Sequence, residues 1–452
     1  MQKILLFIAS LFYFNSLFAK DEIKSWQGIH ETPLSRLEQQ FADPPVEFAN
    51  HVIWGWEGKM DKKTICNDLD SIKKKGFRAI IFEAGYKLPF KYLSEEWFKA
   101  IRTGVLEAKK RGMKVWIIDE GKYPSGFAGG KFSQERPDLR MQALVIGDTI
   151  QIKRGEVMTN HKIAPEIISA VAVSTSGAPN RTVAINNGEI SFNAGLDDWK
   201  ILLVKSDFRT AVTRAVNNPN GGKDATNSLC DYLNPVAVQQ FIDWTHEQYK
   251  KYLGKELGTT VLGFRGDEPD YAHLPWTPSI VQTFKDTKGY DPTPYLASFF
   301  TTSPTIQEQR VKADYWDVWS SLFATHFFKL QADWCAANGV AHITHLNKEH
   351  EMPACVKAEG DYFRNLSKVQ IPGVDAIWNQ IWPGTLNDFP KLASSVAHVY
   401  GKPRAFSESF AAYHISPTIP QAKFVVDHQI ARGINFFEFM FWPAGSKHRN
   451  WM

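Results

Sequence analysis

Residues 109–118 read KKRGMKVWII, and the same arrangement returns as KKKGFRAIIF at 73–82, AANGVAHITH at 336–345 and IARGINFFEF at 430–439. Each is the polar end of a helical stretch, a glycine, and a short apolar run. Glycine just past a helix takes the left-handed conformation that ends it. A brief apolar run after it is what a strand covered on both faces looks like. Looser copies follow Gly258 (TTVLGF), Gly373 (VDAIWN) and Gly401 (KPRAFS), and HVIWGW at 51–56 stands before the first junction. Together these make eight strands separated by helices.

The intervening stretches carry helix signals. Within 62–75, Ile65, Leu69 and Ile72 share one face; Asn234-Pro235 opens another helix as cap and first-turn proline, with Phe241 and Trp244 on its stripe. The alternation predicts an α/β fold of the (β/α)8 TIM-barrel type. A doubly wound sheet would want a phosphate fingerprint after its first strand, and WGWEGK is not one. The glycine-rich DEGKYPSGFAGGK at 119–131 is no P-loop either, because Ser125 stands where its first glycine belongs and Phe132 follows Lys131.

Two departures follow. Over 141–225 the pattern changes to ALVIGDTIQI, SAVAVST, TVAINNGEISF and WKILLVKSD, which predicts a small β-rich domain inserted after the third strand. The barrel is then divided into 20–140 and 226–452. After the eighth strand, WPAGSKHRNWM at 442–452 leaves no room for a closing helix, so the expectation is a fragment lacking it.

The chain has 452 residues, 44% of them hydrophobic, enough for a large core. A formal charge of +4 without long basic runs gives no electrostatic footprint for nucleic acid. MQKILLFIASLFYFNSLFA at 1–19 reads as a secretory signal peptide, too short and badly flanked for a stable membrane span. The expected mature protein is soluble and exported, periplasmic or secreted. Cys66, Cys230, Cys335 and Cys355 are too widely spaced for a C-x-x-C motif and are expected as buried thiols.

Barrels of this type place their active site at the C-terminal strand ends. The residues there are Trp54, Trp56 and Glu57, then Glu83, then Asp119 and Glu120, then Asp267 and Glu268. Beyond these come His345, Asn347 and Glu349, then Trp378, Asn379 and Trp382, then Glu408, then Glu438 and Trp442. Carboxylates, amides and indoles suit a carbohydrate, which offers hydroxyls and apolar C–H faces. Breaking a glycosidic bond needs two carboxyls, one protonated and one ionised. Glu268 and Glu408 are the expected pair, with Asp119, Glu120, Tyr123, Glu83, Asp267, His345 and Asn379 on sugar hydroxyls and Trp54, Trp56 and Trp382 as stacking platforms. Simpler readings stand beside this one: Glu83, Glu349 and Glu438 as salt-bridge partners, the tryptophans as rim packing, and His342 and His345 as satisfied barrel histidines. Glu359 and Asp361 read as surface charge or as hard oxygen ligands for calcium.

Four strings resemble a known family: 119–140 (DEGKYPSGFAGGKFSQERPDLR), 231–254 (DYLNPVAVQQFIDWTHEQYKKYLG), 263–292 (GFRGDEPDYAHLPWTPSIVQTFKDTKGYDP) and 404–437 (RAFSESFAAYHISPTIPQAKFVVDHQIARGINFF). They are similar to family 106 of the glycoside hydrolases, the α-L-rhamnosidases, from about residue 45 onward. The resemblance implies an exported enzyme that removes a terminal deoxysugar by inversion, with calcium near the site. By position it matches Glu268 to the general acid and Glu408 to the general base. Arg265 stands where relatives often carry a small residue. Three rivals stay open: a retaining glycosidase, for which carboxyls about 5–5.5 Å apart rather than about 6.5–9.5 Å would speak, a non-catalytic glycan-binding barrel, and a metal hydrolase.

Overall fold

The computed structural model describes residues 33–210, 213–215, 223–224, 227–271, 274–385, 387–413 and 417–445. The leader at 1–19 and the stretch 446–452, where the expected signal peptide and absent closing helix fall, lie outside these. Eight strands form a closed barrel: β1 (His51–Trp56), β2 (Ala79–Ala84), β3 (Lys114–Ile118), β4 (Val261–Gly266), β5 (Ala341–Thr344), β6 (Ile371–Ala376), β7 (Phe406–Ser409) and β8 (Phe436–Pro443). Each pairs in parallel with its neighbours in chain order, and β8 returns onto β1. The predicted barrel is therefore present.

Helices form where caps and stripes require them. In α1 (Lys62–Lys74), the Asp61 carboxylate accepts the Thr64 N–H at 2.9 Å, and Ile65, Leu69 and Ile72 are buried against the barrel. Ser94 caps α2 (Glu95–Lys110) in the same way. Such caps contribute about 1 kcal/mol each.

Side chains along a strand alternate between the barrel interior and the helix layer. Ile53, Ile81, Trp116, Ile343, Ile371, Phe406 and Phe436 pack inside. Val52, Trp54, Trp56, Ile80, Phe82, Val115 and Ile117 pack outside, against α1 and α2. This corrects the expectation for Trp54 and Trp56. Both are fully buried in the outer layer and edge-on to each other, Trp56 packs edge-on against Phe82 and Trp97, and Trp54 Nε1 donates to Asp68 on α1 at 3.2 Å. They stand on the wrong parity of β1 to face a ligand.

The sixth strand also differs from its expected position. It runs through Gly373 rather than starting after it, because a Cβ there would meet the Phe406 ring of β7 at 2.1 Å. That glycine is needed for close packing, not for ending a helix.

Between β3 and β4, strands Gln142–Ile152, Trp199–Phe208 and Ile167–Ser174 form the centre of an antiparallel sheet. One face holds Ile152, Ala172, Trp199 and Ile201 in its own small core, and the other adds Leu144, Val171, Leu202 and Val204 to the core around the barrel helices. Pro275–Trp276, from beyond β4, extends this sheet, while Lys122–Tyr123 pairs with Thr213–Ala215. The insertion is thus tied to the two loops that border the barrel mouth.

Candidate active site

The strand alternation that fills the barrel also arms its mouth. One inward step above Ile81 stands Glu83, above Ile343 His345, above Phe406 Glu408, and above Phe436 Glu438; Asp375 lies two inward steps above Ile371. All are buried. Arg265 of β4, fully buried, joins them. Its Nη1 lies 2.8 Å from Asp267 Oδ1, its Nη2 donates to Glu408 Oε2, and its Nε donates to Glu438 Oε2 at 3.2 Å. The Nε2 of His345 stands 2.9 Å from Arg265 Nη2 and 3.4 Å from both Asp267 and Glu408, while its Nδ1 faces the Leu346 carbonyl at 3.0 Å.

This web pushes neighbouring groups at the mouth in opposite directions. Burial raises Asp267, but the Arg265 guanidinium and the His345 imidazole outweigh it and hold that carboxyl below its usual range. His345 is pushed up, its bonds to Asp267 and Glu408 overcoming burial and the Arg265 charge. Glu268, just past β4 with a left-handed φ of +38°, lies among Asp267, His345, Asp375 and Glu408. Burial, reinforced by the charges of Asp267 and Glu408 and opposed by His345, raises it to about 7. It shares a hydrogen bond with Asp375, which burial and the surrounding carboxylates also push well up. Glu268, His345 and Asp375 hold ligand-type atoms within 4.8 Å of one another, as do Asp267, His345 and Glu408. His345 therefore stands between the two expected catalytic carboxylates.

Tyr123 reaches this group from the loop after β3. Its hydroxyl bonds Glu268 and receives the Asn347 amide at 3.1 Å. The loop itself is built around two acids with different duties. Asp119 accepts the Ser125 hydroxyl at 2.7 Å, and Ser125 Oγ in turn accepts the Asp267 backbone N–H at 2.6 Å, locking the loop to the end of β4. Glu120 accepts N–H groups from Gly121, Phe127, Ala128 and Gly129, the last at 2.9 Å. With no exposed surface and its oxygens committed to backbone, Glu120 holds the glycine turn in shape rather than facing sugar hydroxyls.

Of the remaining expected contacts, Glu83 is buried and paired with Lys122 at 2.9 Å. Trp378, Asn379 and Trp382 lie beyond β6 in its loop, the first two in left-handed backbone. Trp378 is 55% exposed, and Trp382 packs at a tilt on Tyr413, ring centroids 6.1 Å apart. Asp361 is an exposed helix cap, whereas Glu359 is fully buried, with Oε1 accepting the Asn347 N–H at 3.2 Å. Asp375 was not expected at the site. Its signal was parity: it lies an even number of residues after Ile371, visible once the strand is known to run through Gly373. Arg265 was visible only as an odd residue before an acidic pair.

The barrel has known counterparts. A sequence model described as α-L-rhamnosidase, glycoside hydrolase family 106, matches residues 161–442. A curated protein of Formosa agariphila, "Putative beta-glucuronidase", is 24% identical over 465 residues, covering 90% of this chain and 38% of its own length. The solved rhamnosidase from Novosphingobium sp. PP1Y superposes with a TM-score of 0.68 at 15% identity, covering 91% of this chain and 57% of that one. The chain thus spans less than two thirds of each.

Proposed function

The chain belongs to glycoside hydrolase family 106, the α-L-rhamnosidases, and from that premise we propose that the barrel mouth removes a terminal α-L-rhamnose-like sugar by inversion. Glu268 protonates the leaving glycosidic oxygen, and Glu408 takes the proton of a water attacking the opposite face of the ring. The observation that carries this reading is the asymmetry of the two carboxyls. Glu268 is raised to about 7 among other acids, while Glu408 lies against the Arg265 guanidinium. A carboxyl that keeps its proton near neutral pH is suited to the acid role, and the Arg265 contact holds Glu408 in place for the base role. Tyr123 and Asp375 orient the acid; Arg265 and His345 fix the base.

A neutral sugar suits this mouth better than a uronic acid. A substrate carboxylate would meet Asp267, Asp375, Glu408 and Glu438, and the cations beside them are already engaged, Arg265 by Asp267, Glu408 and Glu438 and Lys122 by Glu83. Export, read from residues 1–19, belongs to the same proposal; among the described residues no helix is long and apolar enough to cross a membrane.

Calcium also fits. Asp270 Oδ1 and Glu359 Oε2 are buried without a hydrogen-bond partner among the described residues, and Asn347 bonds both side chains. Burial raises Asp270 against the Lys348 charge and the Asn347 hydrogen bond, and burial together with the Asp270 charge raises Glu359; an oxygen-seeking cation would relieve both. Asp270 and Glu359 would hold it, and the ion would supply charge neutralisation and a sugar-hydroxyl ligand beside Tyr123.

The test is hydrolysis of nitrophenyl α-L-rhamnoside followed by proton NMR of the released anomer, with Glu268→Gln and Glu408→Gln as controls. Release of the inverted anomer, lost in both variants, is expected. A retained anomer would replace inversion by a covalent mechanism, and no hydrolysis of any nitrophenyl glycoside would sink the enzymatic reading.

A further inference from the structure

Behind the barrel wall, away from the mouth, lies a second cluster of chemically versatile side chains. His342 is on β5 one residue out of phase with His345, so it faces the helix layer. There it meets His246, first residue of α3 (His246–Leu253), and Cys335 of α4 (Lys329–Ala337). One ligand-type atom from each lies within 4.8 Å of the other two, and all three residues are buried. Neither ring nitrogen of His342 has a hydrogen-bond partner among the described residues, and His246 Nε2 has none either. The expected satisfied barrel histidine is therefore not what His342 is.

The hydrogen bonding around His246 fixes its tautomer. Thr245 Oγ1 donates its one proton to the Phe241 carbonyl at 2.7 Å, and the same oxygen lies 2.9 Å from His246 Nδ1. That oxygen can only accept, so Nδ1 carries the hydrogen and the unpartnered Nε2 carries the lone pair. This hydrogen bond fixes the ring orientation and tautomer, as outer partners of metal-binding histidines do. Burial lowers both histidines, His342 to about 3, so both rings are neutral and free to donate lone pairs. The surroundings are apolar and aromatic: Phe264 and Trp334 lie 4.1 and 5.2 Å from the His246 ring. Buried imidazole nitrogens are costly to leave unpaired, so the cluster is incomplete as it stands.

We propose that His246, Cys335 and His342 bind one thiophilic transition-metal ion, Cu+ or Zn2+, that pins α3 and α4 to β5. Two imidazoles and a thiol suit such ions rather than calcium or magnesium. Metal–ligand bonds of about 2.0–2.3 Å bring ligand atoms within about 4 Å of one another, so side-chain shifts of about 1 Å close the site. On binding, the Cys335 thiol loses its proton to solvent and its sulfur coordinates the ion, with no change of oxidation state. The site is independent of the glycosidase reading, since no residue of the barrel mouth takes part.

Because the cluster is closed to solvent, the ion is expected to enter during folding. The full chain is unfolded in guanidinium and refolded anaerobically with Cu+, or separately with Zn2+, in the presence of excess calcium. After gel filtration, metal content is measured by mass spectrometry and the ligands by X-ray absorption. The expected result is about one ion of one kind per chain, a sulfur and two nitrogen neighbours, and a raised Tm. Cys335→Ser and Cys335→Ala should lose about nine-tenths of that metal while keeping the wild-type circular dichroism. His342→Gln provides a third test should either cysteine variant fold poorly. Retention of neither metal by the wild type, or undiminished retention by all folded variants, would overturn the proposal.

Discussion

The Nε of Arg265 donates to Glu438 Oε2 at 3.2 Å while its Nη2 donates to Glu408, so one buried cation on β4 fixes carboxylates on the adjacent strands β7 and β8. Its third arm holds Asp267 at 2.8 Å. The guanidinium ties the loop that carries Glu268 to the strand that carries Glu408 across the mouth, and its fork geometry is what a lysine cannot reproduce.

Arg265→Met should therefore damage both fold and function. Removing one partner leaves the buried Glu408 and Glu438 and the half-buried Asp267 without this cation, a loss of about 3–5 kcal/mol. Urea denaturation should show the loss as a lower midpoint, and Arg265→Lys should recover only part of it. A midpoint unchanged from wild type would mean that the web carries no net stability.

Glu268→Gln and Glu408→Gln should each lower kcat on a rhamnoside by about 10²–10⁴-fold with unchanged circular dichroism. The wild-type rate should also fall as pH rises through about 7, where Glu268 loses its proton, and this alkaline limb should vanish in Glu268→Gln.

The same shifts set a stability trend. Glu268 and Glu438 are raised to about 7 and Glu349 to about 8, mainly by burial. The folded chain thus binds more protons than the unfolded one, whose Glu carboxyls titrate near about 4.3. Their contribution is full below that value and is lost as pH rises through 7 to 8. Asp267, lowered by Arg265, acts oppositely and loses its contribution only in acid. Without divalent ions, Tm should fall between pH 5 and 8. Saturating calcium should flatten that fall and raise Tm at pH 8, if Asp270 and Glu359 hold the ion; equal curves with calcium and with chelator would remove calcium from the account.

Glu120→Gln separates a structural acid from a binding one. The amide keeps one acceptor and turns an NH2 towards backbone N–H groups that need acceptors, a cost of about 1–3 kcal/mol. The expected readout is a lower Tm, with KM for a nitrophenyl glycoside altered much less than by Tyr123→Phe. A KM change without a Tm change would return Glu120 to the sugar site.

Two tryptophans make a matched contrast. Trp54→Ala empties a packed position between β1 and α1, and should cost about 3–5 kcal/mol with little effect on KM of the folded fraction. Trp378→Ala removes a ring that is 55% exposed at the rim, so Tm should hold. If the rim stacks sugars, KM for oligosaccharides should rise; no change in KM would make Trp378 a bystander.

The sequence by itself determined the barrel, because helix-ending glycines and doubly covered strands are local signals that each segment carries alone. Glu268 and Glu408 were legible for the same reason, as acids at the ends of apolar runs. Which face each side chain takes was not legible, because strand parity depends on the exact start of the strand. One shift in the reading of β6 hid Asp375, and unapplied parity on β1 put Trp54 and Trp56 in the site. Only the tertiary structure decided the partners. Glu120 turned out to be held by its own loop, Arg265 to bind three carboxylates, and His342 to face Cys335 and His246 rather than His345. Such pairings join residues far apart in the chain, and burial then decides which groups keep their protons. No local pattern encodes either.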